Sequence, residues 1–169
     1  MRLRGSRIPH IAESMVKALT SGEAIECERP EEVKLDIESV LNEYVRTEQT
    51  ISERAKDLLA QRNLPPKDLG KIRRLLADQQ NFKLGDDAID YVLDQLLEML
   101  MYSNNVDEIF AEDYELRRRM REPLRQEVVV EEQLEAQVRG RLRHVEEGGS
   151  LWEVEYRRMM EDIKRRKGL

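Results

Sequence analysis

Four carboxylates, Asp86, Asp90, Asp94 and Glu98, recur at four-residue steps, and Arg117, Arg118, Arg119, Arg121 and Arg125 crowd one short segment. In this 169-residue chain these are the residues whose types and spacing invite chemistry. Carboxylate oxygens suit magnesium or calcium, so an acidic metal-dependent hydrolase is one reading. A straight ladder spreads its oxygens along about three helical turns instead of converging them on one point, and without partners from another helix it is a poor cage. The better functional use is a docking stripe for basic side chains, among them the chain's own Arg117–Arg119. A plain solvated face ranks above both.

The basic clusters continue at Arg73-Arg74, Arg157-Arg158 and Lys164-Arg165-Arg166-Lys167. Arginines at this density can neutralise phosphates, and binding of that kind weakens steeply with salt. Acidic residues interleave with them, at Glu112, Asp113, Glu115, Glu122, Glu155, Glu161 and Asp162. No aromatic platform of the kind single-strand binders use accompanies them. Basic residues near a helix C-terminus also favour the macrodipole unaided. The order of assignment is therefore structural or solvated use, then protein docking, then RNA or DNA. The candidate interaction residues are Arg73, Arg74, Arg117, Arg118, Arg119, Arg157 and Arg158.

Other chemistries find little footing. Gly70, Gly85 and Gly140 are isolated and lack the spacing of a phosphate-cradling loop. Cys27, His10 and His144 are too few and too scattered for a zinc site, which needs about four ligands at characteristic spacing. Cys27 as a nucleophile requires a base and a lowered pKa; packing as a small side chain is the plainer role. His10, beside Pro9, reads as a surface or boundary residue, and Trp152 and Tyr156 read as core or boundary groups. No cofactor is called for.

Composition frames these residues. Charged residues make up 38% of the chain and aromatics 5%, the balance of a helix-rich soluble protein. The net charge is −6, and residues 1–82 carry 14 basic and 14 acidic side chains, so the excess lies entirely in residues 83–169. An acidic chain argues against nonspecific nucleic-acid binding as the default. One cysteine excludes an intramolecular disulfide and fits a reducing compartment, and the N-terminus lacks the apolar run of a secretory signal. A cytoplasmic location follows as the default.

The elements that must position these groups are helices. The central stretch, Asp86–Tyr102, is the most apolar run: Ile89, Val92, Leu93, Leu96, Leu97 and Leu100 make one continuous face, and Tyr91, Met99, Met101 and Tyr102 widen it. A helix apolar over so much of its circumference is expected to be buried on more than one side. Its charges and length exclude a membrane span. Before it, Ser6 is placed to cap a helix running to about Thr20 that Ser21-Gly22 ends. Ala24–Cys27 suits a small strand. Pro30 suits the first turn of a helix through Val33, Ile37, Leu41 and Tyr44, with Thr50 and Glu53 as a capping box at a restart or within one continuous element. Leu64-Pro65-Pro66 breaks the chain before a helix reaching about Gln80. After the central helix, Val106–Phe110 is short and apolar–acidic. A long charged helix from about Glu112 contains Pro123, expected to kink or split it, and Val128-Val129-Val130 suits a local break. Gly148-Gly149 ends that element, and Ser150 with Glu153 reads as a capping box opening a terminal helix.

The two halves repeat one order. Ile8 falls on Ile89, Leu19 on Leu100, Ile37 on Met120, Leu41 on Leu124, Ile51 on Leu134 and Leu59 on Leu142. Arg73-Arg74 falls on Arg157-Arg158, which suggests a shared role, gripping acidic residues of the other half. The pattern indicates duplication, with residues 1–82 and 83–169 as two helical repeats of one cooperative unit. Ala24–Cys27 and Val106–Phe110 then become equivalent and can pair as a ribbon across a pseudo-twofold axis.

The opening MRLRGSRIPHIAESMVKAL, the following PEEVKLDIESVLNEYV and the doubled layout resemble, over essentially the whole chain, the bacterial family called domain of unknown function 507. The resemblance implies a bacterial, helical, cytosolic protein, and it implies no activity and no functional residues. The expectation is an all-α, internally duplicated protein, two similar halves about a pseudo-twofold with a small two-stranded ribbon. Its expected function is that of a non-enzymatic interaction or scaffold module, whose partner is another protein or a second copy. A nucleic-acid-associated factor is the alternative and the metal-dependent hydrolase the third.

Overall fold

The computed structural model describes residues 1–169. Six α-helices and one two-stranded antiparallel sheet follow in the order the spacing predicts. In the first half α1 (Ile8–Thr20) leads through β1 (Ile25–Glu26) into the long α2 (Pro30–Gln61), and α3 (Leu69–Gln79) follows. The second half runs α4 (Ala88–Tyr102), β2 (Glu108–Ile109), α5 (Asp113–Arg141) and α6 (Ser150–Lys167). The strands pair Ile25 with Ile109 and Glu26 with Glu108, joining the two segments that the sequence marks as equivalent. No helix is long and apolar enough to cross a membrane.

Helix ends show where local rules were misread. Ser6 lies in a 3-10 turn (Gly5–Arg7), and α1 begins behind Arg7 with no side-chain cap. The capping box at Ser150 does not form either: Gly149 occupies the N-cap position and Glu153 pairs with Lys56 instead. The carboxylate that would close the box is taken up by the lysine, a bond between two full charges in place of one to a backbone amide. At the other ends one device recurs. Glu23, Asn63, Asn81 and Gly168 adopt positive φ, and the amide after each returns to a carbonyl five residues back. These bonds are Ala24 to Leu19 at 3.2 Å, Leu64 to Leu59 at 3.0 Å, Phe82 to Ala77 at 2.9 Å and Leu169 to Lys164 at 2.9 Å. This left-handed closure satisfies carbonyls the helix leaves bare. The left-handed residue after α1 is therefore Glu23, one position beyond the Ser21-Gly22 pair.

α2 is continuous through Thr50, the second of the two alternatives there, and α5 runs as one helix through Pro123 and the valine triplet, so neither a split at Pro123 nor a break at the triplet occurs. A proline inside a helix costs roughly 3 kcal/mol. Met120 and Leu124, flanking Pro123, are fully buried, and each such side chain contributes roughly 1.5–3 kcal/mol, enough to carry the helix through.

The chain divides into two compact units, one of Met1–Glu48 with Lys83–Val128 and one of Gln49–Phe82 with Val129–Leu169. Each unit takes a segment from either side of the Phe82–Lys83 junction, and α2 and α5 contribute their first part to one unit and their last part to the other. In the first unit, α1 buries Ile11, Ala12, Met15, Val16 and Leu19, and α4 buries Val92, Leu93, Leu96, Leu97 and Leu100 at the same spacing. Val33, Ile37 and Leu41 of α2 and Leu116, Met120 and Leu124 of α5 complete that core. The second unit packs Leu134, Val138 and Leu142 of α5 with Met160 and Ile163 of α6, and Trp152, Tyr156 and Met159 lie half-buried against them.

Two substitutions test the backbone reading. Glu23→Gly is expected to stabilise by about 0.5–1 kcal/mol, because glycine adopts positive φ without strain. Gly148 has φ +85°, and a Cβ there would lie 3.0 Å from the Pro66 carbonyl oxygen, so Gly148→Ala is expected to destabilise by about 1–3 kcal/mol. Urea unfolding of both variants measures these shifts, and equal midpoints would contradict them.

Candidate functional site

In the first unit α4 and α5 face one another through charge. Arg121 donates to Asp90 at 2.5 Å, and Arg117 pairs with Asp94. Moving one turn forward on α4 moves one turn back on α5, so the two helices run antiparallel. The acidic ladder exists because residues four apart share a helical face, and like charges at that spacing repel by a few tenths of a kcal/mol, roughly. Two arginines from the facing helix relieve that repulsion. The two central carboxylates of the ladder, Asp90 and Asp94, are thus bound to basic side chains of the same chain, whereas Asp86 and Glu98 are not, and no three His, Cys, Asp or Glu side chains converge as a metal-ligand set.

The consecutive arginines do not act together. At about 100° per residue three neighbours point three ways. Arg117 reaches α4. Arg118 stands 75% exposed, 3.7 Å from Glu115. Arg119 turns to α1, donating to the Ala18 carbonyl at 2.8 Å and to Glu115 at 2.8 Å. It closes over Gly22, where a Cβ would lie 2.5 Å from its Nη1. Arg119 thus supplies the cation that a helix C-terminus favours. In the second unit Arg74, Arg157 and Arg158 are exposed and form no ion pair, and Arg73 is half-buried.

Several structural contacts escape a reading from sequence. Asp36 of α2 reaches the end of α4, accepting from the Ser103 hydroxyl at 2.5 Å and Asn105 Nδ2 at 2.9 Å. Arg7 pairs with Glu127 at 2.6 Å, and the Tyr44 hydroxyl donates to the Lys83 carbonyl at 3.1 Å. In the second unit Glu131 is 4% exposed, with Lys164 Nζ at 3.9 Å, and the Tyr156 hydroxyl donates to Glu135 at 3.1 Å. Charge alone does not reveal which partner each residue meets, since the long helices α2 and α5 carry acids and bases on every side.

The widened apolar arc of α4 is not all buried. Met101 and Tyr102 are 53% and 78% exposed, and beyond them Phe110 and Tyr114 are 55% and 71% exposed. Because α4 and α5 run antiparallel, the last turn of α4 and the first turn of α5 lie at one end of the first unit, joined through β2. Four large apolar side chains therefore stand in water at that end. One signal for it was available: residues 98–115 contain no lysine or arginine.

The family described as Protein of unknown function (DUF507) matches residues 1–169, the whole chain. The chain belongs to that family. No curated protein matches it at a significant level. Membership assigns no residue a role, so the chemistry of the DUF507 chain rests on its own geometry.

Cys27 is half-buried, and burial together with the nearby Asp107 and Glu31 carboxylates pushes its thiol upward. A raised thiol pKa holds less thiolate at neutral pH, the opposite of an activated nucleophile. Glu115 is shifted the other way: its bond from Arg119, aided by the charges of Arg119 and Arg118, holds its carboxyl below the ordinary value of 4.5. Its folded pKa being depressed, any stability this contact contributes is present above the unfolded pKa and is lost as pH falls through the folded one. Arg119→Gln is expected to return the Glu115 carboxyl toward its ordinary value in a side-chain NMR titration. An unchanged titration would show that Arg119 is not the cause.

Proposed function

We propose that the chain is a bacterial, cytosolic, non-enzymatic protein-interaction module, built from two copies of one helical repeat, residues 1–82 and 83–169. The observation that carries the interaction reading is the group Met101, Tyr102, Phe110 and Tyr114, exposed together at one end of the first unit. Aromatic residues and Met are enriched in the cores of protein interfaces and supply most hot spots there. Isolated exposed apolar residues need no explanation, but a group does. An enzyme reading has weaker support, because Asp90 and Asp94 hold arginines and Cys27 is held toward the thiol form.

Support for the duplication comes from burial. The aligned positions Val33 and Leu116, Ile37 and Met120, Leu41 and Leu124, Ile51 and Leu134, Ala55 and Val138, and Leu59 and Leu142 are all buried. The strand pairing also joins residues within one position of being one another's equivalents in that alignment. An antiparallel ladder of this kind is what a twofold relation between like segments requires.

A second reading, association with RNA or DNA, is favoured by one observation: Arg157, Arg158 and Arg165 on α6 are exposed and form no ion pair. The experiment that separates the two is affinity capture from a nuclease-treated bacterial lysate, comparing the chain with a Tyr102→Ser, Phe110→Ser, Tyr114→Ser variant. Truncating a hot-spot aromatic costs about 2 kcal/mol or more, so a bound protein is expected to fall at least about thirtyfold in affinity. Equal capture by both chains would remove the aromatic end as the site. Capture that disappears with nuclease would favour the nucleic-acid reading.

A further inference from the structure

The exposed aromatic end is also the most acidic part of the molecule. Residues 98–115 hold six carboxylates and no base. Glu115 belongs to Arg119 and Asp107 accepts from the Glu28 amide, but Glu98, Glu108, Glu112 and Asp113 are exposed and unpaired. A surface that is both aromatic and acidic is matched by one that is apolar and basic. Arginine fits it best, since guanidinium can pair with a carboxylate and lie over a tyrosine ring.

The chain carries such a surface. On α6, Tyr156, Met160 and Ile163 turn toward the core of the second unit, and Leu151, Val154, Arg158, Glu161 and Arg165 lie on the opposite side at helical spacing, with Arg157 at its flank, so the face is apolar and net basic with one carboxylate in it. Leu151 and Val154 are 61% and 63% exposed. Arg157, Arg158 and Arg165 have no acidic partner, whereas Arg166 pairs with Asp162 and Lys164 with Glu131. Two such faces docked on each other would set a single carboxylate, Glu161, against the three arginines of the opposing face, leaving most of the charge opposed by like charge or by apolar groups. A nucleic acid would use the arginines and leave Leu151 and Val154 against phosphate. A polypeptide surface with aromatic groups among carboxylates satisfies both parts.

We infer that the outer face of α6 docks on the acidic, aromatic end of the first unit of a second copy of this chain. This rests on the interaction-module reading and names its partner. The two surfaces differ, so the contact is heterologous, closing into a ring or propagating as a filament. Opposed charges bring the copies together and fix their register, and the apolar groups at the centre slow their separation.

The test is sedimentation of the full chain and of two charge-reversed variants. One carries Arg157→Glu, Arg158→Glu and Arg165→Glu; the other carries Glu98→Lys and Asp113→Lys. All five positions are exposed, and circular dichroism checks that helix content is kept. The wild-type chain is expected to associate, with affinity falling about tenfold or more between low and high salt. Each variant alone is expected to be monomeric, since like charges then meet. An equal mixture is expected to associate again, because each reversed surface now finds its complement on the other chain. A monomeric wild-type chain at low salt, or a mixture of folded variants that stays monomeric, would overturn the proposal. The two readings fail separately: a monomeric chain that still retains a distinct protein through Tyr102, Phe110 and Tyr114 loses the self-association and keeps the interaction module.

Discussion

Two short apolar helices have to be kept out of water by two long helices that are rich in charge. α1 and α4 supply Ile8, Ile11, Met15, Leu19, Leu93, Leu96 and Leu100, all essentially without exposure. At roughly 1.5–3 kcal/mol for each such side chain, their burial outweighs any surface ion pair, whose usual worth is about 0–1 kcal/mol. α2 and α5 meet the demand with one narrow line of apolar residues each, Val33, Ile37 and Leu41 on one and Leu116, Met120 and Leu124 on the other. Outside their buried lines those helices are free to carry charge, and they carry it densely. The same requirement explains why α5 tolerates Pro123: the residues on either side of it belong to that line.

Once the apolar lines are set, the helical period decides what the charges do. Arg117, Arg119 and Arg121 are neighbours in sequence, yet α5 delivers two of them to Asp94 and Asp90 of α4 and the third to the end of α1. Asp36 of α2 works at the matching place on the end of α4, where the polar loop residues Ser103 and Asn105 donate to it. Each apolar helix of the first unit is thus held at its C-terminal end by a charged residue of a long helix from the other half of the sequence. The chemistry differs, a cation on backbone carbonyl in one case and a carboxylate on donors in the other, because only the position is shared.

Spacing carried the fold well into view. Apolar residues three and four apart located every helix, the short segments Ala24–Cys27 and Val106–Phe110 located the strands, and the α4 stripe is buried from Val92 to Leu100, with Ala88 in place of Ile89 at its start. Punctuation was less legible. Glycine and proline are strong local signals, but Pro123 sits inside a helix and the left-handed residue after α1 is Glu23. Both are cases where packing overrides a local preference of a few kcal/mol at most. Partner choice was least legible. With acids and bases mixed along α5, sequence shows that Arg119 is charged and says nothing of whether it meets Glu115, Ala18 or solvent. The exposure of Met101 and Tyr102 was hidden for a related reason: they continue an apolar arc, and only the end of α4 leaves them beyond the reach of the core.

On the duplicated reading, that exposure has a further meaning. Residues that serve the common architecture should be alike at matching positions, as Ile37 and Met120 or Leu41 and Leu124 are. At the exposed end the halves diverge. Met101, Tyr102, Phe110 and Tyr114 fall on Thr20, Ser21, Cys27 and Glu31, and Glu98 and Glu112 fall on Lys17 and Arg29. α1 and α4 bury the same five positions whether the flanking residues are polar or aromatic. Folding therefore supplies no reason for four large apolar side chains and a reversed charge on one half alone. On the interaction-module proposal, what the fold does not require and water disfavours is explained by a partner that covers it.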